Sequence, residues 1–175
     1  QGIDQPVLLV GRSKSDIHGY IQDMGIEDYE DSFLENLYYL SLDVKTGDPE
    51  DLRDKVESVS NKHGIDTSYT FYLALPYFLF TYTSSLIQNA GLNTDDSKIA
   101  FEKPFGKNLE TAQRINQEIE GFKEEQIFRV DHYLGKELVE NILTLRFSNP
   151  LFQKIWDAES VKNVQITMAE DMGVN

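Results

Sequence analysis

The 175-residue chain carries a formal net charge of −14 and contains no cysteine. The absence of thiols excludes disulfides, cysteine-bound metal and cysteine nucleophiles in this sequence, and the acidic balance argues against nonspecific binding to nucleic acid or to an anionic membrane. A hydrophobic content of 40% is enough for the core of one domain, or of one domain and part of another.

The start of the sequence and its apolar runs indicate a soluble, cytoplasmic protein. The chain opens Gln-Gly-Ile-Asp-Gln, without the basic and apolar regions of a signal peptide. Its longest apolar run, residues 71–80, is far shorter than the roughly 20 residues that a membrane helix needs. We therefore expect no membrane or nucleic acid partner.

Short apolar runs alternate with helical patterns along the first part of the chain. Residues 6–11 form an apolar run that Gly11 closes, which is typical of a strand buried on both faces, and residues 37–43 predict a second strand. The acidic stretch between them is only weakly periodic. A helix is expected to begin at Asp48, with acidic residues in its first turn and apolar residues at helical spacing (Leu52, Val56, Val59).

The same alternation continues to about residue 131. Residues 69–75 and 98–102 predict two more strands, and Pro76 is expected to end the first of them. Asn108 is expected to cap a helix whose apolar face comprises Leu109, Ala112, Ile115, Ile119 and Phe122. Residues 126–130 predict a further strand. Because strands separated by helices form a parallel, helix-covered sheet, we expect an α/β fold.

Residues 132–175 predict the start of a second unit. An apolar pattern over residues 138–146 outlines a helix, which Asn149-Pro150 is expected to stop. Residues 161–168 alternate between apolar and polar side chains as a strand does. We therefore expect one helix and one strand of an α+β substrate domain.

A basic bend, Gly11-Arg-Ser-Lys14, follows the first predicted strand. The sequence contains no G-x-G-x-x-G loop, so the bend is better interpreted as the end of a second Rossmann strand. At that position Arg12 and Lys14 can hold the 2′-phosphate that distinguishes NADP from NAD. The alternative is an ordinary turn with two solvated side chains.

The segment Arg129-Val-Asp-His-Tyr-Leu-Gly-Lys136 combines a carboxylate, an imidazole, a phenol and an ammonium within six positions. His132, Tyr133 and Lys136 can each donate to phosphate oxygens, and Lys136 opens a helix whose N-terminal amides favour anions. Asp131 suits a different role. Its carboxylate can accept a hydrogen bond from an imidazole and stabilise the imidazolium during proton abstraction. The alternative for His132 is a structural histidine.

Lys103 stands between Glu102 and Pro104, at the end of a predicted strand. A lysine at this place can meet a phosphate or a sugar hydroxyl, and the alternative is a surface lysine in a loop. Residues 98–136 contain seven basic and seven acidic side chains, so the negative excess lies elsewhere in the chain. This middle segment is where an anionic small molecule would be received best.

Three segments resemble glucose-6-phosphate dehydrogenases. They are Phe-Glu-Lys-Pro-Phe-Gly (101–106), Phe-Arg-Val-Asp-His-Tyr-Leu-Gly-Lys-Glu (128–137) and Asn-Ile-Leu-Thr-Leu-Arg-Phe-Ser-Asn-Pro-Leu-Phe (141–152). The D-H-Y-L-G-K run is the signature of that family, and its spacing from E-K-P-F-G also fits. Weaker similarity extends back to residues 10–14 and 71–76 and forward to residues 169–173, so it covers nearly the whole chain.

The resemblance implies a role for single residues. His132, Tyr133 and Lys136 would bind the sugar phosphate, and Asp131 would partner the catalytic histidine base. Lys103 would lie between the substrate and the nicotinamide. Other residues fall at positions that the family uses for sugar hydroxyls (Glu170), for the 2′-phosphate (Lys14, Arg12) and near the cofactor (Asp43, Val44, Tyr72).

Parts of the family pattern are not in this sequence. The first strand and its Gly-rich loop are expected before residue 1, and the catalytic histidine, further substrate lysines and most of the antiparallel sheet are expected after Asn175. The resemblance therefore implies an incomplete Rossmann-like, NADP-binding domain over residues 1–131 and the beginning of a C-terminal substrate and dimerisation domain over residues 132–175. We expect the full-length protein to be a homo-oligomer. Pro76-Tyr77 lacks the double proline of many relatives.

The implied activity is hydride transfer from C1 of glucose 6-phosphate to NADP, giving 6-phosphogluconolactone in the oxidative pentose phosphate pathway. One alternative is that the chain as given is a catalytically inactive, sugar-phosphate-binding or assembly fragment. Another is a different Rossmann oxidoreductase that carries an E-K-P lysine and acts on an unphosphorylated sugar.

Overall fold

The computed structural model describes residues 5–26, 29, 31–65, 68–119, 121–132 and 135–167. The chain divides into two compact units, one up to Val130 and the other from Asp131 onward. None of the helices within those ranges is both long enough and apolar enough to cross a membrane.

The first unit alternates strands and helices. Its elements are β1 (Val7–Gly11), α1 (Ile17–Asp23), α2 (Asp31–Leu34), β2 (Leu37–Ser41), α3 (Pro49–His63), β3 (Thr70–Leu73), α4 (Phe80–Asn89), β4 (Lys98–Glu102), α5 (Leu109–Glu118) and β5 (Ile127–Val130). Every strand pairing is parallel, with β1 beside β2 and with β4 between β3 and β5. The expected α/β class with parallel strands is confirmed.

The described strands form two sheets, and two cavities are each lined by residues of both β1 and β3. One cavity is lined by residues 5–8, Val10 and residues 68–71, and the other by residues 7–10 and 70–75. Because the strands within each sheet are parallel, their carboxyl ends lie at the same edge of that sheet.

The core of the first unit centres on β4. Ile99 and Phe101 of this strand are completely buried. The Phe101 ring lies 4.9 Å from the ring of Phe80 and 6.4 Å from that of Phe105, measured between centroids. Because aromatic side chains bury the largest apolar areas, this cluster fixes the position of β4 and of the loop that follows it.

The predicted helix starts at Asp48 and Asn108 are confirmed. The Asp48 carboxylate accepts from the Glu50 backbone N–H at 3.0 Å, and α3 ends at Gly64, whose φ of 62° favours glycine. Asn108 caps α5 by accepting from the Thr111 N–H at 2.9 Å. The predicted apolar face extends too far, because α5 ends at Glu118. Phe122 lies beyond the helix and packs edge-on against Phe71.

Three strand predictions in the first unit need correction. β1 is only partly buried, with Val10 40% exposed, because one of its edges has no strand partner among the described residues. β2 ends at Ser41 rather than at Asp43, since Asp43 begins a turn in which its backbone oxygen accepts from the Gly47 N–H at 2.7 Å. β3 ends at Leu73, where its pairing with β4 stops, and not at residue 75.

The acidic stretch between β1 and β2 folds into α1 and α2, which the weak periodicity did not predict. The Asp16 carboxylate begins α1 by accepting from the Gly19 N–H at 2.8 Å. Polar side chains dominate this short helix, of which only Ile21 is buried, so its hydrophobic period is faint.

The second unit contains α6 (Glu137–Ser148) and α7 (Pro150–Ile155). The helix predicted over residues 138–146 is confirmed, but Pro150 opens a new helix where only an end was expected. Residues 161–167 have no regular secondary structure, so the predicted strand is wrong for them, and Met168 lies outside the described residues. An alternating pattern becomes a strand only where a neighbour completes its hydrogen bonds.

Candidate functional site

The carboxyl ends of β3 and β4 are joined by a side-chain hydrogen bond. Tyr72, the third residue of β3, is 54% exposed, and its hydroxyl donates to a carboxylate oxygen of Glu102, the last residue of β4. The carboxylate raises the pKa of Tyr72, first by accepting this hydrogen bond; loss of solvation and the carboxylate charge add to the effect. A phenol and a carboxylate therefore stand together at the edge where parallel sheets bind ligands.

Lys103 follows Glu102 directly and is exposed to solvent. The peptide bond between Lys103 and Pro104 is cis. Gly106 then takes a φ of 102°, and a Cβ there would come within 2.6 Å of the Thr111 hydroxyl and 3.0 Å of the Ala112 nitrogen. Only glycine fits this close approach to α5.

The end of this loop is tied to the first turn of α5. The Thr111 hydroxyl oxygen accepts from the backbone N–H groups of Lys107, at 2.9 Å, and Asn108, at 3.1 Å. The loop that carries Lys103 is thus held between a buried strand and a capped helix, so the backbone of Lys103 has a defined position.

Arg12 and Lys14 lie in a bend at the carboxyl end of β1, and both are exposed. The Tyr39 hydroxyl holds the bend by donating to the Ser13 carbonyl oxygen at 3.1 Å. A Cβ at Gly11 would come within 2.8 Å of that hydroxyl oxygen. Tyr39 was not predicted from the sequence, because its position beside the bend depends on the register between β1 and β2. The bend has the cations that a phosphate dianion requires.

Asp43 and Val44 lie in the turn after β2. The Asp43 carboxylate accepts from the Lys45 backbone N–H at 2.8 Å, so part of its hydrogen-bonding capacity serves the turn itself. Val44 lines a cavity of about 410 Å³ together with Lys45, Tyr82 and Asn89. The Lys45 ammonium lies 5.2 Å from the centre of the Tyr82 ring, an attractive cation–π contact that the sequence analysis also missed.

The second unit carries the remaining described site residues, Asp131, His132 and Lys136. Asp131 is partly buried, whereas His132 and Lys136 are exposed. Lys136 precedes α6 as expected, and its backbone oxygen accepts from the Val139 N–H at 2.9 Å. Tyr133 and Glu170, two predicted substrate ligands, lie outside the described residues.

The parallel pairing brings some of these residues together. Tyr72 and Glu102 meet directly, and Lys103 is the next residue of the same loop. Val130, which ends β5, pairs in register with Glu102. The described residues include no group of three or more His, Cys, Asp or Glu that could hold a metal ion.

Comparison with known proteins identifies the family. Residues 12–141 match the family model described as glucose-6-phosphate dehydrogenase, NAD binding domain, and residues 143–175 match the model of the C-terminal domain. The chain belongs to the glucose-6-phosphate dehydrogenase family. The first of these models describes a domain that binds a nicotinamide dinucleotide.

Relatives and solved structures within the glucose-6-phosphate dehydrogenase family agree with this assignment. The Rhizobium meliloti enzyme is 40% identical over 146 residues, which are 82% of this chain and 29% of that protein. The crystal structure from Mycobacterium avium is 33% identical with a TM-score of 0.67, over 96% of this chain and 38% of the other.

A second solved structure is a glucose-6-phosphate dehydrogenase in complex with its substrate glucose-6-phosphate. It is 26% identical with a TM-score of 0.70, and the match covers 88% of this chain and 35% of that one. The chain thus spans about a third of the length of the relatives that it matches.

Proposed function

We propose that this chain is part of an NADP-dependent glucose-6-phosphate dehydrogenase, which transfers a hydride from C1 of glucose 6-phosphate to NADP and yields 6-phosphogluconolactone. The match of residues 12–141 to the nicotinamide-dinucleotide domain of that family carries the proposal. A solved relative is described with glucose-6-phosphate as its substrate, which supports the same substrate here.

The preference for NADP over NAD would come from the basic bend after β1. Arg12 and Lys14 are exposed at the carboxyl end of that strand, and Tyr39 holds the bend between them through Ser13. Two cations suit the additional 2′-phosphate of NADP. Asp43, Val44 and Tyr72 would lie along the cofactor at the same edge.

The sugar phosphate would be bound by His132, Tyr133 and Lys136, and Glu170 would hold sugar hydroxyls. NADP, when bound, supplies the acceptor for the hydride. Lys103 would orient the substrate against the nicotinamide from its cis-proline loop, which Tyr72 supports by holding the adjacent Glu102. Asp131 would accept a hydrogen bond from the histidine that removes the C1 hydroxyl proton.

The proposed domain organisation, oligomeric state and location rest on the same family membership. Residues 1–131 would form a partial NADP-binding domain and residues 132–175 the beginning of the substrate domain. We propose a homo-oligomer for the full-length protein and a cytoplasmic location; an Arabidopsis thaliana relative that is 36% identical is named as a cytoplasmic enzyme.

A chimera tests the proposal. The matching residues of the Rhizobium meliloti enzyme are replaced by those of this chain, and NADPH formation is followed by its absorbance. Glucose 6-phosphate should be oxidised, whereas glucose should be a far poorer substrate. Equal turnover of glucose, together with full activity after Lys136→Ala, would instead favour another oxidoreductase that carries an E-K-P lysine.

The second candidate function is an inactive sugar-phosphate-binding or assembly fragment. It is favoured by the fact that the chain covers only about a third of its relatives. The 175-residue chain by itself would then form no NADPH but would still release heat on titration with glucose 6-phosphate. A chain without turnover or binding, together with an inactive chimera, would contradict both candidates.

A further inference from the structure

The basic bend after β1 is held by the fold at both of its ends. Where β1 ends, the Leu42 N–H donates to the Gly11 carbonyl oxygen at 2.8 Å. Where α1 begins, the Asp16 carboxylate accepts from the Gly19 N–H at 2.8 Å. The residues between these two anchors belong to neither a strand nor a helix. The direction in which their side chains leave the backbone therefore depends on other contacts.

The middle of the bend is held by Tyr39, from the neighbouring strand β2. Its hydroxyl donates to the Ser13 carbonyl oxygen at 3.1 Å and lies 3.3 Å from the Ser13 hydroxyl oxygen. Because a phenol has a single proton, the Ser13 hydroxyl is the donor in the second contact. Tyr39 therefore holds the Ser13 side chain and also the peptide unit that joins Ser13 to Lys14.

Two neighbours determine where the Tyr39 hydroxyl lies. The Tyr20 ring of α1 packs against the Tyr39 ring, with 5.2 Å between the centroids and 31° between the planes. A Cβ at Gly11 would come within 2.8 Å of the Tyr39 hydroxyl oxygen, but would stay 3.6 Å from the nearest ring carbons. Gly11 does not have a positive φ. Alanine at this place therefore conflicts with the hydroxyl, and neither with the ring nor with the backbone conformation.

The physical consequence is that the two cations of the bend are preorganised. Arg12 and Lys14 flank Ser13 in the chain, and both are exposed. Long side chains lose rotamer freedom when they bind an anion, and a mobile backbone would add an ordering cost of its own. A backbone that is already fixed removes this second cost. The gain in affinity applies to an anion that both cations contact, and not to the rest of a nucleotide.

We propose that Tyr39 is a positioning residue for the selection of NADP over NAD, and that it acts through Ser13 on Arg12 and Lys14. The inference rests on the proposed binding of NADP at the basic bend. In this role Tyr39 does not contact the nucleotide; it fixes the backbone from which the two cations reach the additional 2′-phosphate. Gly11 takes part in the same arrangement, because it leaves the space that the Tyr39 hydroxyl occupies.

Binding of two nucleotides to the Rhizobium meliloti chimera tests this role. The probes are adenosine 2′,5′-bisphosphate, which carries the additional phosphate, and 5′-AMP, which lacks it. Isothermal titration calorimetry measures both dissociation constants. Tyr39→Phe keeps the ring beside Tyr20 and removes the hydroxyl. It should weaken binding of the bisphosphate roughly fivefold, the effect of about one hydrogen bond, and leave binding of 5′-AMP unchanged.

A double-mutant cycle separates positioning from general damage to the fold. Gly11→Ala should weaken binding of the bisphosphate about as much as Tyr39→Phe, because its Cβ displaces the hydroxyl. Added to Tyr39→Phe, the same alanine should have little further effect, since the ring alone leaves room for it. The matched control is Tyr38→Phe, which removes a β2 hydroxyl that bonds to His63 instead. It should leave both affinities unchanged.

The effect on the backbone is measured without any ligand in the 175-residue chain. NMR relaxation should give the Lys14 amide a lower order parameter in Tyr39→Phe than in the unaltered chain, because its peptide unit loses the hydrogen bond from the phenol. Tyr38→Phe should leave the order parameter of that amide unchanged.

Several results would overturn the proposal. They are equal affinity of the unaltered chimera for the two nucleotides, equal losses of both affinities in Tyr39→Phe, additive effects of Gly11→Ala and Tyr39→Phe, and an unchanged Lys14 order parameter. A loss in Ser13→Ala as large as that in Tyr39→Phe would also overturn it, because the Ser13 hydroxyl would then bind the phosphate itself.

Failure of the proposed function gives a different result. A chimera that forms no NADPH, but whose affinity for the bisphosphate still depends on Tyr39, would contradict the dehydrogenase activity and support the positioning role. A chimera that oxidises glucose 6-phosphate with the same preference for NADP before and after Tyr39→Phe would support the activity and contradict the positioning role.

Discussion

The Tyr72 hydroxyl donates a hydrogen bond to the Glu102 carboxylate, and this bond joins the ends of β3 and β4 at the ligand edge. Both side chains belong to strands that pair in parallel, with Leu73 opposite Phe101. The bond therefore reports directly on whether the two strand ends have their native register.

The pKa of Tyr72 should be raised above the ordinary tyrosine value in the folded chain, because Glu102 accepts a hydrogen bond from the Tyr72 hydroxyl and carries a negative charge. Glu102→Gln removes the charge and should lower that pKa toward the ordinary value of about 10. The measurement is an NMR titration of the tyrosine ring carbons. Glu57→Gln, on the exposed side of α3, is the matched control and should leave the Tyr72 titration unchanged.

The sign of the linked stability change follows from the raised pKa of Tyr72. The stabilisation is fully present below the pKa of an unfolded tyrosine, and it is lost as the pH rises through the higher pKa of the folded chain. Urea unfolding at a series of alkaline pH values should show this loss in the unaltered chain and a smaller one in Glu102→Gln. The same pH dependence in both proteins would contradict the assignment.

Phe101→Ala should lower the free energy of unfolding by about 3–5 kcal/mol, the usual cost of removing a buried phenylalanine ring. Phe101 is completely buried and contacts the rings of Phe80 and Phe105. Phe128→Ala, on the neighbouring strand, should cost much less because Phe128 is 47% exposed. Urea denaturation of the three proteins measures both effects; equal losses would argue against the placement of β4 in the core.

Gln126→Leu should destabilise the chain by about 1–3 kcal/mol despite the greater hydrophobicity of leucine. The buried Gln126 amide donates to the carbonyl oxygens of Thr94, at 2.9 Å, and Ser97, at 2.7 Å, and its oxygen accepts from the Lys123 N–H at 2.9 Å. Leucine would remove these three hydrogen bonds and would leave the Lys123 N–H without its acceptor on this side chain. Gln117→Leu, at an exposed position, should change stability by less than about 0.5 kcal/mol in the same urea experiment.

Asn108→Ala should cost about 1 kcal/mol, because it removes the side chain that caps α5. Asn108→Asp keeps an acceptor for the Thr111 N–H and should retain most of the stability. Thermal unfolding followed by circular dichroism compares the two variants. If alanine and aspartate behaved alike, the cap would not contribute to the stability of α5.

Lys136→Ala and Asp131→Asn should affect different kinetic parameters in the active chimera. Loss of a proposed phosphate contact should raise KM by roughly tenfold or more, whereas loss of the proposed partner of the catalytic base should mainly lower kcat. Steady-state kinetics with glucose 6-phosphate separates the two effects. The same losses in kcat and KM for both variants would contradict these roles.

The proposed binding of phosphate by His132 predicts a further, independent signal. A phosphate that accepts a hydrogen bond from the ring should change the chemical shifts of the His132 imidazole, so adding glucose 6-phosphate should move its NMR signals. The effect should disappear with unphosphorylated glucose. Signals that stay in place with and without the sugar phosphate would remove His132 from the proposed site.

Local sequence determined the elements that depend on short-range chemistry. Asp48 and Asn108 begin helices because their side chains accept from nearby backbone N–H groups, and β4 has three apolar residues between its charged ends. The segment 161–167 shows the limit of such reasoning, since its alternation predicts a strand but no regular structure forms. A strand needs a partner, and partners are distant in the sequence.

The residues of the candidate site were predicted from the sequence as separate motifs. Family membership followed from the E-K-P-F-G and D-H-Y-L-G-K runs, because the family match covers both. Their individual roles stay predictions, and Tyr133 and Glu170 lie outside the described residues. The sequence alone gave no indication that Tyr39 anchors the basic bend or that Tyr72 bonds to Glu102.

The sequence by itself therefore determined which residue types are present, where α3, α5 and α6 begin and to which family the chain belongs. Tertiary structure decided which side chains meet, because the register of parallel strands sets neighbours that are 26 residues apart for Ser13 and Tyr39 and 30 apart for Tyr72 and Glu102. It also decided that, among the described residues, β1 pairs only with β2 and β3 only with β4. The physical reason is that strand pairing is a long-range choice, made by packing and backbone hydrogen bonds rather than by local propensity.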